Sequence, residues 1–441
     1  MNALALRLYS LLMWLGQPLL RRKLARRGLQ EPGYLDAMEE RFGRYQQPKE
    51  SASELVWVHA VSLGETRTAA MLLQALRAQH PQLRLLLTHG TATGRAEGAA
   101  LLQPGDVQVW QPWDSPAVVA RFLDHFKPRL GLLMETEVWP NLVAAARARA
   151  LPLVLVNGRL SEKSLQQALR LAPLSLPAYG ALAAVYAQNA LDAERFRRLG
   201  APVSGVFGNL KFDATPDAAQ LAQGQAWRLA LAQPVLMFAS SRDGEEDEFF
   251  KEIMAISQVR RGLLAIDSVA NEPASPFKAL VVPRHPQRFD AVAALAAQHG
   301  LRVSRRSQWA GSPADNAEAM AADVWLGDSL GEMALYYGLG DVALLGGSFA
   351  PLGGQNLIEA AACGCPVVLG PHTFNFAEAA GQAEAEGAAL RVAGMADAVQ
   401  AGLRLALDSA ALAKAVAAGL AFAARHRGAT SKTLAALRRY L

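Results

Sequence analysis

Cysteine is almost missing, with Cys363 and Cys365 the two in 441 residues. One residue separates them, a spacing at which a disulfide is strained. No disulfide framework therefore holds the chain, and the usage fits a reducing compartment. A Cys-x-Cys metal site needs further ligands, and none stand nearby in the sequence. Acid is missing from the beginning of the chain, where none occurs before Glu31. A long unbroken apolar run is missing there as well. Residues 1–20 are apolar but are interrupted by Arg7, Gln17 and Pro18, and Arg21, Arg22, Lys23, Arg26 and Arg27 follow. A cleaved signal peptide would carry its charges ahead of the apolar run, and a spanning helix wants about 20 uninterrupted apolar residues. The pattern fits an interfacial helix best, with apolar residues in the lipid and basic residues against anionic headgroups. The basic flank would leave the body of the protein in the cytoplasm. The plainer alternative is a surface helix packed on its own domain. No internal repeat occurs, and no low-complexity tract beyond an alanine bias.

What is present is ordinary for a folded enzyme-sized chain. Half the residues are hydrophobic (51%) and 19% are charged, the balance of a globular protein. The length allows two or three domains. A net charge of +5 favours anionic partners without choosing among them.

Short apolar runs alternate with helical stretches. Residues 55–61, 83–88, 130–134, 153–157 and 182–187 read as strands of a first half, with a turn at 62–66 and a helix over 67–79. Residues 205–212, GVFGNLKF, read as a linker. Runs at 235–239, 279–282, 324–326, 342–345 and 366–369 form a second half. Residues 257–276 read as an irregular insertion. This alternation predicts α/β structure with doubly wound parallel sheets. The expected domains are a membrane-associating segment 1–30, a first Rossmann-like domain 31–212 and a second 213–425. A last helix, 426–441, is expected to pack back on the first half.

Two such halves would face a ligand cleft, because these sheets bind at the carboxyl ends of their strands. Polar residues gather at those ends: Glu65, His89, Glu135 and Glu137 in the first half, Arg242, Arg284, His285, Asp328, Glu332 and Asn356 in the second. A base facing an anion site is what group transfer needs. Residues 344–371, LLGGSFAPLGGQNLIEAAACGCPVVLGP, read as strand, glycine loop, helix and strand. Glycines let backbone approach a ligand, and N–H groups at a helix start attract an anion. Glycine spacing alone does not separate that reading from an ordinary βαβ crossover.

The ordered motifs go further. HAVSLGET (59–66), METEVWPN (134–141), GNLKFD (208–213), VPRHPQRF (282–289), GDSLGEM (327–333), GGSFAPLGGQNLIEAA (346–361) and GPHTFNF (370–376) run across nearly the whole chain. In that order they resemble the 3-deoxy-D-manno-octulosonic acid (Kdo) transferases of lipopolysaccharide synthesis, glycosyltransferase family 30. The resemblance implies a GT-B enzyme that inverts the anomeric centre, takes Kdo from CMP-Kdo and gives it to the lipid A precursor lipid IVA. It implies Glu65 as general base and Glu135 and Lys211 as transition-state stabilisers. It implies a CMP site at Pro283, Arg284, Leu330, Gly331, Glu332, Asn356, Leu357, Ile358 and Glu359. No cofactor or metal is expected, since GT-B enzymes generally use helix dipoles and cations instead, and no Asp-x-Asp pair stands at a strand end. No nucleic acid partner is expected. From position alone, Glu65 would equally serve its own helix N-terminus, Glu135 and Glu137 a structural pair near Trp139, and Lys211 a solvated charge. The chain departs from the family in three places. Gln355 stands where many members have His, Ser240-Ser241-Arg242 where a Ser/Thr-His pair is common, and residues 257–276 have no assigned counterpart. The alternatives are a GT-B enzyme with another sugar nucleotide, or a non-catalytic nucleotide-sugar-binding protein.

Overall fold

A computed structural model of the chain describes residues 3–50, 54–213, 215–267 and 276–441. The chain divides into two compact units, Met1–Asp213 with His426–Leu441, and Ala214–Arg425.

The first unit is built on β1 (Leu55–His59), β2 (Arg84–His89), β3 (Val107–Trp110), β4 (Leu130–Met134), β5 (Leu153–Gly158), β6 (Ala184–Ala187) and β7 (Val203–Val206). All pair in parallel, in the order β3-β2-β1-β4-β5-β6-β7. Successive side chains of a strand point to opposite faces, and both faces here are covered. Leu55 and Trp57 of β1 enter one apolar cluster, Val56 and Val58 the other. This is why the central strands read as continuous apolar runs rather than alternating ones. The C-terminal helix Ala429–Leu437 adds Leu434 and Leu437 to the second cluster.

The second unit repeats the plan with β8 (Val235–Ser241), β9 (Lys278–Pro283), β10 (Val303–Arg305), β11 (Val324–Leu326), β12 (Val342–Leu345), β13 (Val367–Leu369) and β14 (Ala389–Arg391). Their order is β10-β11-β9-β8-β12-β13-β14, again all parallel. The α/β, doubly wound expectation holds in both units.

Several local expectations need correction. The turn assigned to 62–66 is already the first turn of α3 (Leu63–Gln79), because Ser62 caps it. Residues 257–267 are not irregular but continue the helix Glu245–Asp267; 268–275 lie outside the described residues. The supposed linker 205–212 holds the end of β7 and then a 3-10 turn, Leu210–Asp213. At the beginning of the chain, α1 (Ala3–Leu15) and α2 (Gln17–Gly28) are separate helices, with Pro18 in the first turn of the second. Among the described residues no single helix is long and apolar enough to cross a membrane.

Candidate active site

In an open parallel sheet the ligand crevice forms where the strand order reverses. In the first unit that point lies between β1 and β4, which are neighbours. Glu65 follows β1, and the loop 135–139 follows β4.

The geometry at Glu65 is set by a capping box. Ser62 Oγ accepts from Glu65 N (3.4 Å) and donates to Glu65 Oε1 (3.0 Å), while Glu65 Oε2 accepts from Val61 N (2.8 Å). Burial pushes the Glu65 carboxyl up to about 7; the Val61 N–H opposes this, and the charges of Glu135 and Glu137 add to it.

Glu135 sits in the left-handed region at φ 59, a conformation unusual for a residue with a side chain. Its N–H donates to Val156 O (3.0 Å), and its carbonyl accepts from Arg159 N (3.2 Å). Its carboxylate meets Lys211 Nζ at 3.4 Å. Lys211 is held there by its own turn: Leu210 N donates to Asn157 Oδ1 (3.0 Å) and Lys211 N to Asn209 Oδ1 (3.0 Å). Lys211 is thus an ion-pair partner of Glu135 rather than a free linker charge. Glu137 accepts from Trp139 Nε1 (2.8 Å), and burial raises its carboxyl too. Four of these groups, Glu65, Glu135, Glu137 and Lys211, therefore share one electrostatic neighbourhood.

The two histidines beneath them face inward. His59 is fully buried, bonds Thr88 through Nδ1 (2.8 Å to Oγ1), and is driven down to about 3 by burial. Its Nε2 lies 4.0 Å from Glu137. His89, expected at a ligand-facing strand end, is instead buried: its Nδ1 donates to Ala60 O (2.9 Å), and Gly98 of α4 (Ala92–Ala99) packs against its ring. Both are neutral packing residues.

In the second unit the strand order reverses between β8 and β12. Pro283 closes β9 and is buried, and Arg284 emerges from it, its N–H donating to Ser241 O (3.1 Å). Burial, and after it the charges of Arg242, Arg284 and Arg288, lowers the His285 pKa, although Arg288 is itself paired with Asp243 (2.8 Å) and Glu246 (2.7 Å). Burial raises the Glu359 carboxyl, and Arg284 pulls it back. Asn356 caps the short helix Leu357–Ala362, its Oδ1 accepting from Ile358 N (3.1 Å). The side chains of Leu357 and Ile358 are buried, and the Ile358 N–H is taken by Asn356, so a ligand can meet these two residues only through backbone, at Ile358 by displacing Asn356 Oδ1. Leu330 is 74% exposed beside Gly331, which has φ 80. The Glu332 carboxylate is engaged by Arg306 (2.9 Å) and by Ser329. The nine residues expected to hold a nucleotide thus split. Arg284 and Glu359 lie within electrostatic reach of each other, while Leu330, Gly331 and Glu332 stand on the β11 loop.

Two organising carboxylates escaped the sequence reading. Glu245 is buried and accepts from Gly347 N (2.8 Å), Phe349 N (3.1 Å), Ala350 N (3.0 Å) and Arg242 N (3.1 Å). The first part of the glycine loop is therefore filled by the protein's own anion. Asp114 plays a comparable part in the first unit. The available signals were an acid in the first turn of a helix and an acid just before Ser-Pro. Among the described residues, no group of three or more His, Cys, Asp or Glu is placed to hold a metal.

Two Rossmann-like units with polar residues at both switch points define the class: an α/β protein on the GT-B plan, to which glycosyltransferases belong. The fold agrees with that of a solved glycosyltransferase from Rickettsia africae at TM-score 0.54 and 12% identity, covering 89% of this chain and 99% of that one. Residues 36–214 match the family model "3-Deoxy-D-manno-octulosonic-acid transferase (kdotransferase)". The 3-deoxy-D-manno-octulosonic acid transferase of Bordetella pertussis is 47% identical over 88% of this chain and 87% of its own length. That of Haemophilus influenzae is 30% identical over 98% of both. The chain belongs to the Kdo transferase family and is a glycosyltransferase.

Proposed function

We propose that the protein transfers Kdo from CMP-Kdo to lipid IVA by an inverting single displacement at the cytoplasmic face of the inner membrane. The observation that carries this reading is Glu65. It is a half-buried carboxylate held at both oxygens, brought to about 7 by its surroundings, at the switch point of the first sheet. A general base works best with a pKa near the operating pH. Glu65 takes the proton from the acceptor hydroxyl as that oxygen attacks the anomeric carbon of Kdo, and CMP leaves from the opposite face.

Glu135 and Lys211 divide the remaining charge. The sugar becomes oxocarbenium-like and positive as its bond breaks, which a carboxylate favours. The departing phosphate gains negative charge, which an ammonium favours. In the second unit, Arg284 and Arg242, both close to His285, suit the donor's anionic groups. The backbone of Leu330, Gly331 and Glu332 suits the cytosine edge. Asn356 and the helix start at Leu357 and Ile358 suit the phosphate, the Ile358 N–H exchanging Asn356 Oδ1 for a phosphate oxygen, and Glu359 suits the ribose hydroxyls.

The membrane reading has support from α1. Leu4, Leu8, Leu11, Leu12, Trp14 and Leu15 are exposed on it, and Arg22, Lys23 and Arg26 are exposed on α2. An apolar face next to a basic one is what an anionic bilayer surface takes.

The test is mass spectrometry of the products formed from CMP-Kdo and tetraacylated lipid A precursor. Addition of Kdo to the acceptor is expected, and the product masses count the additions. Turnover of UDP-sugars with none of CMP-Kdo would overturn the donor assignment.

A further inference from the structure

The loop that carries Glu135 is fixed at one end by β4 and at the other by the helix that follows it, α6 (Pro140–Ala148), α5 being Pro116–Phe126. The start of α6 is pinned by a single carboxylate. Asp114 is buried, and it accepts from Asn141 N (3.1 Å) and Leu142 N (2.8 Å). Pro140 has no N–H, and Val143 N already donates to Trp139 O (2.9 Å). Asp114 thus satisfies the two first-turn donors of α6 that have no helical partner. The Asp114 carbonyl also accepts from Asn141 Nδ2 (2.7 Å).

The same group is held by the N-terminal helix. Tyr9 Oη donates to Asp114 Oδ2 (2.8 Å), and the one proton of Ser10 Oγ is shared between Asn141 Oδ1 (2.8 Å) and Leu6 O (2.7 Å). Around them Trp113 Nε1 donates to Met13 O (2.6 Å) and Gln17 Nε2 to Ser115 Oγ (3.4 Å). The partly buried positions of α1 and its exit (5, 6, 9, 10, 13, 16 and 17) recur at helical spacing and form its inner face. Its outer face is the apolar one described above. A helix of 13 residues is marginal in water by itself, and each face that is covered adds to its stability. Lipid on the outer face therefore favours the state in which the inner face is hydrogen-bonded.

We propose that Asp114 is a positioning residue: through Tyr9, Ser10 and Asn141 it couples the seating of α1 on an anionic lipid surface to the geometry of the loop carrying Glu135. This rests on the reading of Glu135 as a transition-state group. A residue in the left-handed region is kept there only when its surroundings over-determine it, and the start of α6 is one of those surroundings. Tightening it holds the Glu135–Lys211 pair in place, so transfer is fastest where the lipid acceptor is found.

The test uses the full chain and vesicles of phosphatidylcholine with phosphatidylglycerol. In the wild type, vesicles are expected to slow amide exchange at Asn141 and Leu142 by about ten-fold, the effect of one secured hydrogen bond to a charged group. Tyr9→Phe is expected to float with the vesicles and melt as the wild type does, yet lose that protection. Its kcat on vesicle-borne acceptor is expected to fall about ten-fold with the donor KM unchanged. Ser10→Ala is expected to shift both readouts less, in the same direction. Leu8→Ser, on the outer face, is expected to weaken flotation and leave exchange without vesicles as it was. Exchange at 141 and 142 that ignores vesicles, or wild-type kcat in Tyr9→Phe, overturns the coupling. A loss of kcat that merely tracks lost flotation overturns it too. Undiminished transfer by Glu135→Gln instead removes the transition-state role of Glu135, and the exchange response alone then decides the coupling.

Discussion

Glu65 serves two ends with one side chain, and the geometry shows how. A carboxylate offers about four acceptor sites. Two are taken, by Val61 N and Ser62 Oγ, which leaves capacity for an acceptor hydroxyl. With its pKa at about 7, the group is a base only in the fraction ionised. The kcat/KM of transfer should therefore rise with pH through about 7 and then flatten, and Glu65→Gln should lose about 10²–10⁴ in rate and this pH limb. The linkage runs the opposite way for stability. A carboxyl raised above its unfolded value of 4.5 holds its proton longer in the folded state, so it costs stability as pH rises from there through about 7. Above that range Glu65→Gln should equal the wild type or exceed it by about 1–2 kcal/mol, discounted from full linkage because the group is partly exposed. Thermal melts at pH 5 and pH 8 check the sign. For Glu135 and Lys211 the expectation is non-additivity. Either Glu135→Gln or Lys211→Met should cost about 10²-fold in kcat, and the double variant little more than the worse single one. Equal, multiplying losses in single-turnover assays would mean that they act apart. These three residues were legible because each stands inside a short motif. Glu245 and Asp114 were not, because their meaning lies in partners 102 to 105 and 27 to 28 residues away, or at Tyr9, 105 residues back.

At the scale of elements, the glycine loop after β12 owes its shape to the helix after β8. Gly346 lies against the Ser240 backbone, where an added Cβ would meet Ser240 O at 2.3 Å, and Gly347 has φ 71. The loop amides then converge on Glu245. Replacing that carboxylate leaves three loop N–H groups without their acceptor, each worth about 1–3 kcal/mol when buried. Glu245→Ala should lower the melting temperature of the second unit and raise the KM for the donor, with kcat at saturation much less affected. Thermal melts and donor titration check both, and an unchanged KM would mean that the loop does not hold the donor. The strands follow a simple rule of legibility. The ten central strands were readable, and the four that were missed are β3, β7, β10 and β14, the two edges of each sheet. Central strands are buried along their whole length, as in β1, β4 and β5, and so are apolar runs. The edges are half exposed: VSGV of β7 alternates, and VSR of β10 and ALR of β14 have three residues each. Burial on both faces writes a strand into the sequence, and an edge has only one neighbouring strand to write with. The start of α3 was misplaced for a related reason: Ser62-Leu63-Gly64-Glu65 looks like a turn until Glu65 is seen to close a capping box.

For the whole molecule, the decisive feature is that each unit owns its core. Trp57, Phe122 and Phe126 pack within the first unit and Phe238, Phe249 and Phe250 within the second, each around its own seven-stranded sheet. The C-terminal segment from His426 onward belongs to the first core, where Asp213 accepts from Gly428 N (2.5 Å) and Thr430 N. Cooperativity follows cores, so heat should unfold the protein in two steps rather than one, and no single melting temperature describes it. The proposed donor site gives the two steps different answers to ligand. CMP binds the folded second unit alone in this reading, and at 100 times its Kd it stabilises that unit by about 2.7 kcal/mol. For a unit of some 200 residues, this is a rise of about 5–10 °C. Calorimetry with increasing CMP should therefore move one transition upward and leave the other in place, and Asp213→Ala should lower only the one that CMP does not move. A single transition whose calorimetric and van't Hoff enthalpies agree would refute the independence of the cores. Two transitions that both rise with CMP would instead place nucleotide contacts in the first unit, and the division of donor and base between the units would have to be redrawn.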